Sequence, residues 1–269
     1  MDHKIIVLVT GANTGLGFEM IRALCSSEKA YEVLVGGRSL VKAEQATNAV
    51  SKEIPSTRSR VWPVQVDIED DESIQSVFDE VQTKFGRLDA LVNNAGAQFD
   101  QQFLAGHLTM RQAWNASWNV NTVGTQIMTA TFVPLLLKSE DPRLLFMASG
   151  TSSLKGTENP AMPFNKVPAG GWPKEAPTAI NNIPAYRSSK CGMNMMMREW
   201  YRILREDGVK VWCISPGFLA TGLGGDQEVN KSLGAGDPAT AGQFVRTVLE
   251  GQRDDDVGRV LVRDGVQPW

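Results

Sequence analysis

Short runs of apolar, largely β-branched residues alternate along the chain with longer amphipathic stretches. The short runs have the length and composition of buried strands, and the longer stretches have the period of helices with one apolar face. The predicted strands span residues 4–10, 31–37, 61–66, 88–93, 143–149, 209–215 and 257–262. The predicted helices span residues 15–27, 40–52, 72–85, 109–137, 184–206 and 238–250.

This alternation predicts parallel strands that are joined by right-handed helical crossovers. We therefore predict an α/β fold, a doubly wound three-layer sandwich around a seven-stranded parallel sheet. The 269 residues, 42% of them hydrophobic, suffice for one sizeable core and leave little room for a second. The expected organisation is a single domain over residues 1–269.

Two segments interrupt the alternation. Residues 151–183 are rich in Pro, Gly and Asn, and residues 217–236 hold six glycines without apolar periodicity. Both follow the carboxyl ends of predicted strands, where open α/β sheets bind their ligands. Long irregular segments in a compact domain are usually functional, although disorder is the alternative. We expect about 151–183 to be an insertion loop and about 217–236 to be a lid over a substrate.

Charge and composition exclude several classes of function. The net charge of −3 offers no cationic field for nucleic acid or for an anionic membrane surface. The apolar run near the N-terminus is too short for a secretory signal or a membrane span, so we expect a cytoplasmic protein. Three cysteines without a C-x-x-C pair and two histidines without ligand spacing predict neither disulfides nor a metal site. The expected partner is a small molecule.

The first predicted strand runs into a glycine-rich turn, Thr-Gly-Ala-Asn-Thr-Gly-Leu-Gly, inside which a helix begins. Glycines there let the backbone approach a pyrophosphate, which the free N–H groups and the positive helix end would hold. A plain turn is the alternative. The candidate cofactor contacts in this turn are Gly11, Asn13, Thr14, Gly15, Leu16 and Gly17.

The second predicted strand ends in Gly36-Gly37-Arg38, about twenty residues beyond the glycine turn, where an NAD site usually carries a carboxylate. A small residue followed by arginine has room and charge for a 2′-phosphate, which favours NADP(H) over NAD(H). A solvated surface arginine is the alternative. At the end of the third strand, Asp67 and the adjoining Ile68 are candidates for contacts with the adenine side of the cofactor. The alternative is that Asp67 is the N-cap of the next helix.

Tyr186 and Lys190 lie four residues apart, on one face of a predicted helix. The stretch Asn181-Asn182-Ile183-Pro184 supplies a candidate cap and an early proline, which places Tyr186 near the helix N-terminus. A free tyrosine has a pKa of about 10, and both a cation and a helix dipole favour its phenolate. Tyr186 is therefore the candidate proton donor or acceptor, with Lys190 lowering its pKa.

Two further polar residues stand at informative positions. Ser149 closes the fifth predicted strand, where its hydroxyl could orient a carbonyl, although a strand-end turn serine is the alternative. Asn121 lies inside a long predicted helix, where asparagine has poor propensity, so a structural reason is expected.

Taken in order, TGANTGLG, Asn93-Asn94-Ala95-Gly96, Asn121, Ser149, Y-x-x-x-K and Ser215-Pro216-Gly217 with Thr221 resemble the short-chain dehydrogenase/reductase family over nearly the whole chain. The resemblance implies a Rossmann-type fold and hydride exchange between NADP(H) and a ketone or aldehyde, or its alcohol, with Tyr186 passing the proton. It further implies that Ser149 holds the substrate oxygen, that Lys190 binds the nicotinamide ribose, and that Asn121 keeps a water in a proton relay. Further cofactor contacts implied by the resemblance are Asn94, Ala95, Gly96, Pro216, Gly217, Leu219 and Thr221.

The interval from Ser149 to Tyr186 is longer than in most members of that family. It resembles, in place though not in length, the insertion of monomeric carbonyl reductases, so monomer and homo-oligomer both stay open. The candidate substrate pocket, with ordinary packing as the alternative, consists of Gln98, Phe99, Thr151, Phe164, Trp172 and Phe218. Two other functions stay open: an alcohol-oxidising biosynthetic dehydrogenase of the same family, and an NADP(H)-binding regulatory protein.

Overall fold

The structure, a computed structural model, describes residues 4–174 and 182–269. Its centre is one sheet of eight strands in the order β3-β2-β1-β4-β5-β6-β7-β8. The strands are β1 Ile5–Val9, β2 Tyr31–Gly37, β3 Arg60–Gln65, β4 Ala90–Asn93, β5 Arg143–Met147, β6 Lys210–Ile214, β7 Val260–Val262 and β8 Gly265–Gln267. The helices are α1 Gly15–Cys25, α2 Leu40–Glu53, α3 Asp71–Phe85, α4 Asp100–Leu104, α5 Met110–Trp118, α6 Thr125–Leu136, α7 Pro184–Leu204, α8 Gln227–Ser232 and α9 Pro238–Leu249.

The α/β class is confirmed, but the sheet has one strand more than the seven predicted. β1 to β7 pair in parallel, whereas β8 turns back and pairs antiparallel with β7. β8 has three residues, which is too short for a hydrophobic period to show in the sequence.

The apolar core lies on both faces of the sheet. Ile6 and Leu8 of β1 pack in one cluster, and Val7 and Val9 pack in another. Successive strand residues point to opposite faces, so the two clusters form the two outer interfaces of a three-layer sandwich. The first cluster includes side chains of α3, α6 and α7, and the second includes side chains of α1, α2 and α9.

The strand order reverses between β1 and β4. From β1 the chain proceeds outward to β2 and β3, and it then returns to β4 on the other side. The loops that follow two neighbouring strands diverge at such a point, which opens a crevice at their carboxyl ends. The crevice lies beside the glycine turn after β1 and the Asn-Asn-Ala-Gly segment after β4.

The helix predicted over residues 109–137 is not continuous. α5 and α6 are separated by a π-helical turn, Asn119–Gly124, which contains Asn121. A π-helical turn widens the helix locally and is common at functional sites. The π-helical turn accounts for an asparagine inside this helical stretch, for which we expected a structural reason.

The described parts of the two irregular segments contain more regular structure than we predicted. Residues 150–165 contain three 3₁₀ turns. In the segment 217–236, α8 is capped by the Asp226 carboxylate, and a parallel bridge joins Leu219 to Gly236. The six residues of α8 are too few to produce a visible period. Among residues 4–174 and 182–269, no helix has the length and apolar character needed to cross a membrane.

Candidate active site

The turn after β1 is shaped by glycines in the left-handed region of backbone space. Gly11 has a φ of 61° and Gly15 a φ of 55°. The side chain of Thr14, the N-cap residue of α1, makes no capping hydrogen bond. The first N–H groups of a helix have no intrahelical acceptor, so this end of α1 can receive an anion.

Close packing makes this turn intolerant of side chains. A Cβ on Gly17 would lie 2.5 Å from the Gly11 carbonyl oxygen, and one on Gly11 would lie 2.9 Å from the Ala95 Cα. The Asn94 amide donates to the carbonyl oxygens of Thr10 (2.8 Å) and Gly11 (3.1 Å). The Thr10 hydroxyl accepts the N–H groups of Asn94 and Ala95. The loops after β1 and β4 therefore form one rigid wall, and Thr10 is a support that the sequence analysis missed.

The end of β2 leaves little space beside the glycine turn. A Cβ on Gly37 would lie 2.8 Å from the Asn13 Oδ1 atom. The next residue, Arg38, is exposed, and its guanidinium takes part in none of the ion pairs within the described ranges. The exposed guanidinium at the end of β2 is therefore accessible to an anion from outside the protein.

Asp67 is not the N-cap of α3. That role belongs to Asp70, whose carboxylate accepts from the N–H groups of Glu72 and Ser73. Asp67 accepts from the Glu69 N–H at 3.1 Å and lies in the loop after β3. Ile68, next to it, is buried. The alternative of a helix cap is therefore excluded, and the adenine contact stays a prediction.

Tyr186, Ser149 and Lys190 come together at the carboxyl edge of β5. The Ser149 side chain lies close enough to the Tyr186 phenol to lower its pKa. The Lys190 ammonium donates to the Met147 carbonyl oxygen at 2.7 Å and lies 5.9 Å from the centroid of the Tyr186 ring. The Ser149 hydroxyl also lies 3.0 Å from that of Thr151. The structure thus assembles a phenol, two hydroxyls and a buried cation.

Burial governs the acidity of both ionisable groups. It raises the pKa of Tyr186 to about 12, and the Ser149 side chain opposes that shift. It lowers the pKa of Lys190 to about 8, and the nearby Cys213 opposes that shift. We expected Lys190 to lower the pKa of the phenol, but desolvation of the buried phenolate is the larger effect here. An unperturbed phenol is already protonated at neutral pH, and burial moves its ionisation to still higher pH.

The lowered pKa of Lys190 predicts a pH-dependent stability. Between pH 8 and the ordinary lysine value of 10.5, the unfolded chain binds more protons at this position than the folded one. The stability of the wild type relative to Lys190→Met should therefore rise across this window, by up to about 1.4 kcal/mol per pH unit. Urea unfolding at several pH values measures the difference. Lys138→Met, at an exposed lysine, controls for the loss of one positive charge, and a constant difference for Lys190→Met would contradict the expectation.

Asn121 connects three parts of the site. Its Oδ1 atom accepts the Ala97 N–H at 3.0 Å, and its amide donates to the Ala97 carbonyl (2.8 Å) and the Ser189 hydroxyl (3.0 Å). A Cβ on Gly96 would lie 2.9 Å from Asn121 Oδ1 and 3.2 Å from Lys190 Nζ. Asn121 and Lys190 therefore lie close together on the same side of Gly96. The water relay between them stays a prediction.

The predicted local cap of α7 is wrong where the structure describes it. Asn181 lies outside the described residues, and the N-cap is Ile183, which offers no capping side chain. Instead, the Asp100 carboxylate accepts the N–H groups of Ala185 (2.9 Å) and Tyr186 (3.1 Å). No local signal marked Asp100, because its partners are 85 and 86 residues away.

Arg187, also missed by the sequence analysis, holds the start of the 151–183 segment against α7. Its guanidinium donates to the carbonyl oxygens of Thr151 and Phe164 and to the side-chain oxygen of Asn165, at 3.0–3.1 Å. It also lies 5.0 Å from the centroid of the Phe164 ring. The segment is therefore anchored directly beside Tyr186.

The candidate pocket residues do not all converge. Gln98 reaches the 217–236 segment, where a Cβ on Gly224 would lie 3.0 Å from its Oε1 atom. Phe99 packs against the apolar core. Trp172 is 88% exposed and Phe218 is 53% exposed, so neither forms an enclosed wall in this structure. The Phe164 ring packs against the Arg187 guanidinium.

The segment after β6 lies against the glycine turn. A Cβ on Gly15 would lie 3.5 Å from the Thr221 Cβ, and Asn230 of α8 holds the Thr221 carbonyl at 2.9 Å. Pro216 and Gly217 begin this segment, and Leu219 is in its closing bridge. In the described residues, no group of three or more His, Cys, Asp or Glu side chains could hold a metal.

Comparison with known proteins relates the whole chain to one family. The short chain dehydrogenase model matches residues 5–162 and 175–232. The chain is 46% identical over 276 aligned residues to the short-chain dehydrogenase/reductase eupG of Phoma sp, which covers 99% of this chain and 98% of that protein. It is 45% identical over 271 residues to the short-chain dehydrogenase/reductase tropE of Talaromyces stipitatus, covering 100% and 99%.

Among solved structures, the chain resembles the NADPH-bound carbonyl reductase from chicken fatty liver. The TM-score is 0.76 at 23% sequence identity, and the match covers 99% of this chain and 100% of that one. At this identity the likeness concerns the fold.

Proposed function

The chain belongs to the short-chain dehydrogenase family, and from that premise we propose that it is an NADPH-dependent reductase of a ketone or aldehyde. One observation carries the proposal: Tyr186, next to Ser149, lies buried one helical turn from Lys190, in a fold whose glycine turn after β1 is open to an anion. We also propose that residues 1–269 form one domain, with 151–183 as an insertion and 217–236 as a lid.

The glycine turn fits a dinucleotide, because an added Cβ on Gly11 or Gly17 would meet backbone atoms at less than 3 Å, so only glycine leaves the backbone accessible there. The N-terminus of α1 would hold the pyrophosphate, and Arg38 would hold the 2′-phosphate. The Asn-Asn-Ala-Gly loop and Asp67 would line the adenosine side, and Thr221 would contact the nicotinamide. NADPH, when bound, supplies a hydride for the carbonyl carbon.

The residues of this chain would handle the proton. In our proposal, the Ser149 hydroxyl orients the carbonyl oxygen, and Tyr186 gives that oxygen its phenolic proton. Lys190 binds the ribose of the cofactor. Asn121 holds a water through which a proton reaches Lys190. At neutral pH the phenol carries the proton that reduction of a carbonyl requires, as a tyrosine with its ordinary pKa of about 10 would.

The experiment that tests this function follows the loss of NADPH absorbance across a panel of ketones and aldehydes, with NADH in parallel. Turnover with NADPH on members of the panel would support the proposal. Turnover of alcohols with NADP⁺ but of no carbonyl would favour the oxidising dehydrogenase, and tight NADPH binding without turnover in either direction would favour a regulatory protein.

The choice of cofactor rests on Arg38. Arg38→Ser should raise KM for NADPH roughly ten- to hundredfold, because a hydrogen bond to a charged group contributes about 1.5–3 kcal/mol and each 1.4 kcal/mol is about tenfold. KM for NADH should change little, since NADH lacks the 2′-phosphate. Steady-state kinetics with both cofactors measure this.

Arg60→Ser is the matched control, because Arg60 is likewise an exposed arginine, on the adjacent strand β3. An unchanged KM for NADPH in Arg38→Ser would refute the assignment of the 2′-phosphate to this residue.

A further inference from the structure

Asp100 is a buried acid that neither the glycine turn nor the Tyr-Lys pair explains. It is 3% exposed, and both of its carboxylate oxygens accept backbone N–H groups of the first turn of α7. One of these N–H groups belongs to Tyr186 itself. A buried carboxylate is costly unless it is hydrogen-bonded, so its position is strongly constrained.

The contact compensates for a missing local cap. Ile183, the N-cap residue of α7, provides no side-chain acceptor, and the first N–H groups of a helix need one. Asp100 supplies it from the start of α4, across 85 residues of chain. The placement of Tyr186 thus depends on the segment after β4.

That segment also holds the other parts of the site. Its Ala95 N–H donates to the Thr10 hydroxyl at the start of the glycine turn, and its Ala97 backbone is hydrogen-bonded to the Asn121 side chain. Asp100 therefore connects the wall of the cofactor crevice to the helix that carries Tyr186 and Lys190. A displacement of Asp100 would move the phenol relative to that wall.

The charge of Asp100 has a second effect. The N-terminus of a helix carries a partial positive charge, which favours a nearby phenolate. A carboxylate on the first-turn N–H groups offsets that charge and so favours the protonated phenol. The two N–H bonds favour the ionised carboxyl, while burial raises the pKa of Asp100. Within the part of the chain that the structure describes, Lys190 on the same helix lies near the Tyr186 ring, and Cys213 of β6 lies near Lys190.

We propose that Asp100 is a positioning residue, which sets both the placement and the protonation of Tyr186 through the first turn of α7. The proposal rests on the role given above to Tyr186 as the proton donor. Asp100 itself touches neither substrate nor cofactor in this assignment.

The first test needs no substrate. The chain has three tyrosines, so the ultraviolet difference between a protein and its Tyr186→Phe counterpart isolates the ionisation of one phenol. In Asp100→Asn, this signal should begin at a lower pH than in the wild type. Circular dichroism at each pH verifies that the protein is folded, and an unmoved titration would overturn the proposal.

The second test is kinetic. In Asp100→Asn, kcat for carbonyl reduction should fall at least tenfold while KM for NADPH stays within twofold, and the alkaline limb of the pH profile should shift to lower pH. Asp100→Ser keeps a capping oxygen without the charge and provides a second variant if the asparagine protein folds poorly. Asp70→Asn is the matched control, because the Asp70 carboxylate also accepts two backbone N–H groups at a helix start, both on one oxygen.

The outcomes separate the two proposals. A wild type that reduces no carbonyl would remove the proposed function, and the phenol titration would still decide the role of Asp100. A wild type that is active, with an Asp100→Asn variant of equal kcat and an unshifted pH profile, would remove the role of Asp100 alone. A proportional loss of kcat, cofactor affinity and melting temperature would show a merely structural contact and would also overturn it.

Discussion

Tyr186→Phe should lower kcat/KM for carbonyl reduction by roughly 10²–10⁴-fold, the usual contribution of a general acid. The phenol lies next to Ser149, and burial raises its pKa further above neutral pH. Phenylalanine fills the same space but has no proton to give. NADPH affinity should change little, because the glycine turn and Arg38 are untouched. Single-turnover NADPH oxidation and fluorescence titration of NADPH binding measure the two quantities.

Tyr201→Phe is the matched control, because it removes a hydroxyl from the same helix at its far end, where the ring packs beside Arg198 and Gly258. It should leave turnover unchanged. If Tyr186→Phe retained more than a tenth of the wild-type rate, another group would be the proton donor, and the central assignment of the mechanism would fail.

Gly17→Ala should nearly abolish cofactor binding. The new methyl would lie 2.5 Å from the Gly11 carbonyl oxygen and 2.7 Å from the Ala12 Cα, and both are backbone atoms that cannot rotate away. Relief requires the glycine turn to shift, which should cost about 1–3 kcal/mol of stability and remove the surface offered to a pyrophosphate. Thermal unfolding with and without NADP⁺ reports both effects, since a ligand that binds the folded state raises Tm.

Gly170→Ala is the control, because nothing lies within 4 Å of a Cβ at that position. It should show the wild-type Tm and the wild-type increase with NADP⁺. An equal NADP⁺-induced increase in Gly17→Ala would mean that the turn after β1 is not the cofactor site.

The regular elements could be predicted because their signals are local. The apolar runs of β1, β2 and β5 and the amphipathic periods of α2, α3 and α7 lie within single stretches of sequence, and each stretch reports its own burial. β8 and α8 were missed, since three and six residues are too few to establish a period.

The candidate site divides in the same way. The glycine turn and the Tyr186–Lys190 pair were predictable, because a backbone turn and a helical repeat of four are properties of neighbouring residues. Asp100, Thr10 and Arg187 were not, because each acts on atoms that only folding brings near. The expected lowering of the Tyr186 pKa failed for a related reason: sequence shows the nearby cation but not the extent of burial.

By itself, the sequence determined the α/β alternation, the glycine turn beneath the N-terminus of α1 and the order of the candidate chemical groups. These depend on backbone conformation and side-chain period over a few residues. The tertiary structure decided that Asp100 caps the helix of Tyr186, that Asn121 lies in a π-helical turn, and that burial raises the pKa of the phenol. Those properties depend on desolvation and hydrogen bonds between segments far apart in the chain, which exist only once the layers have packed.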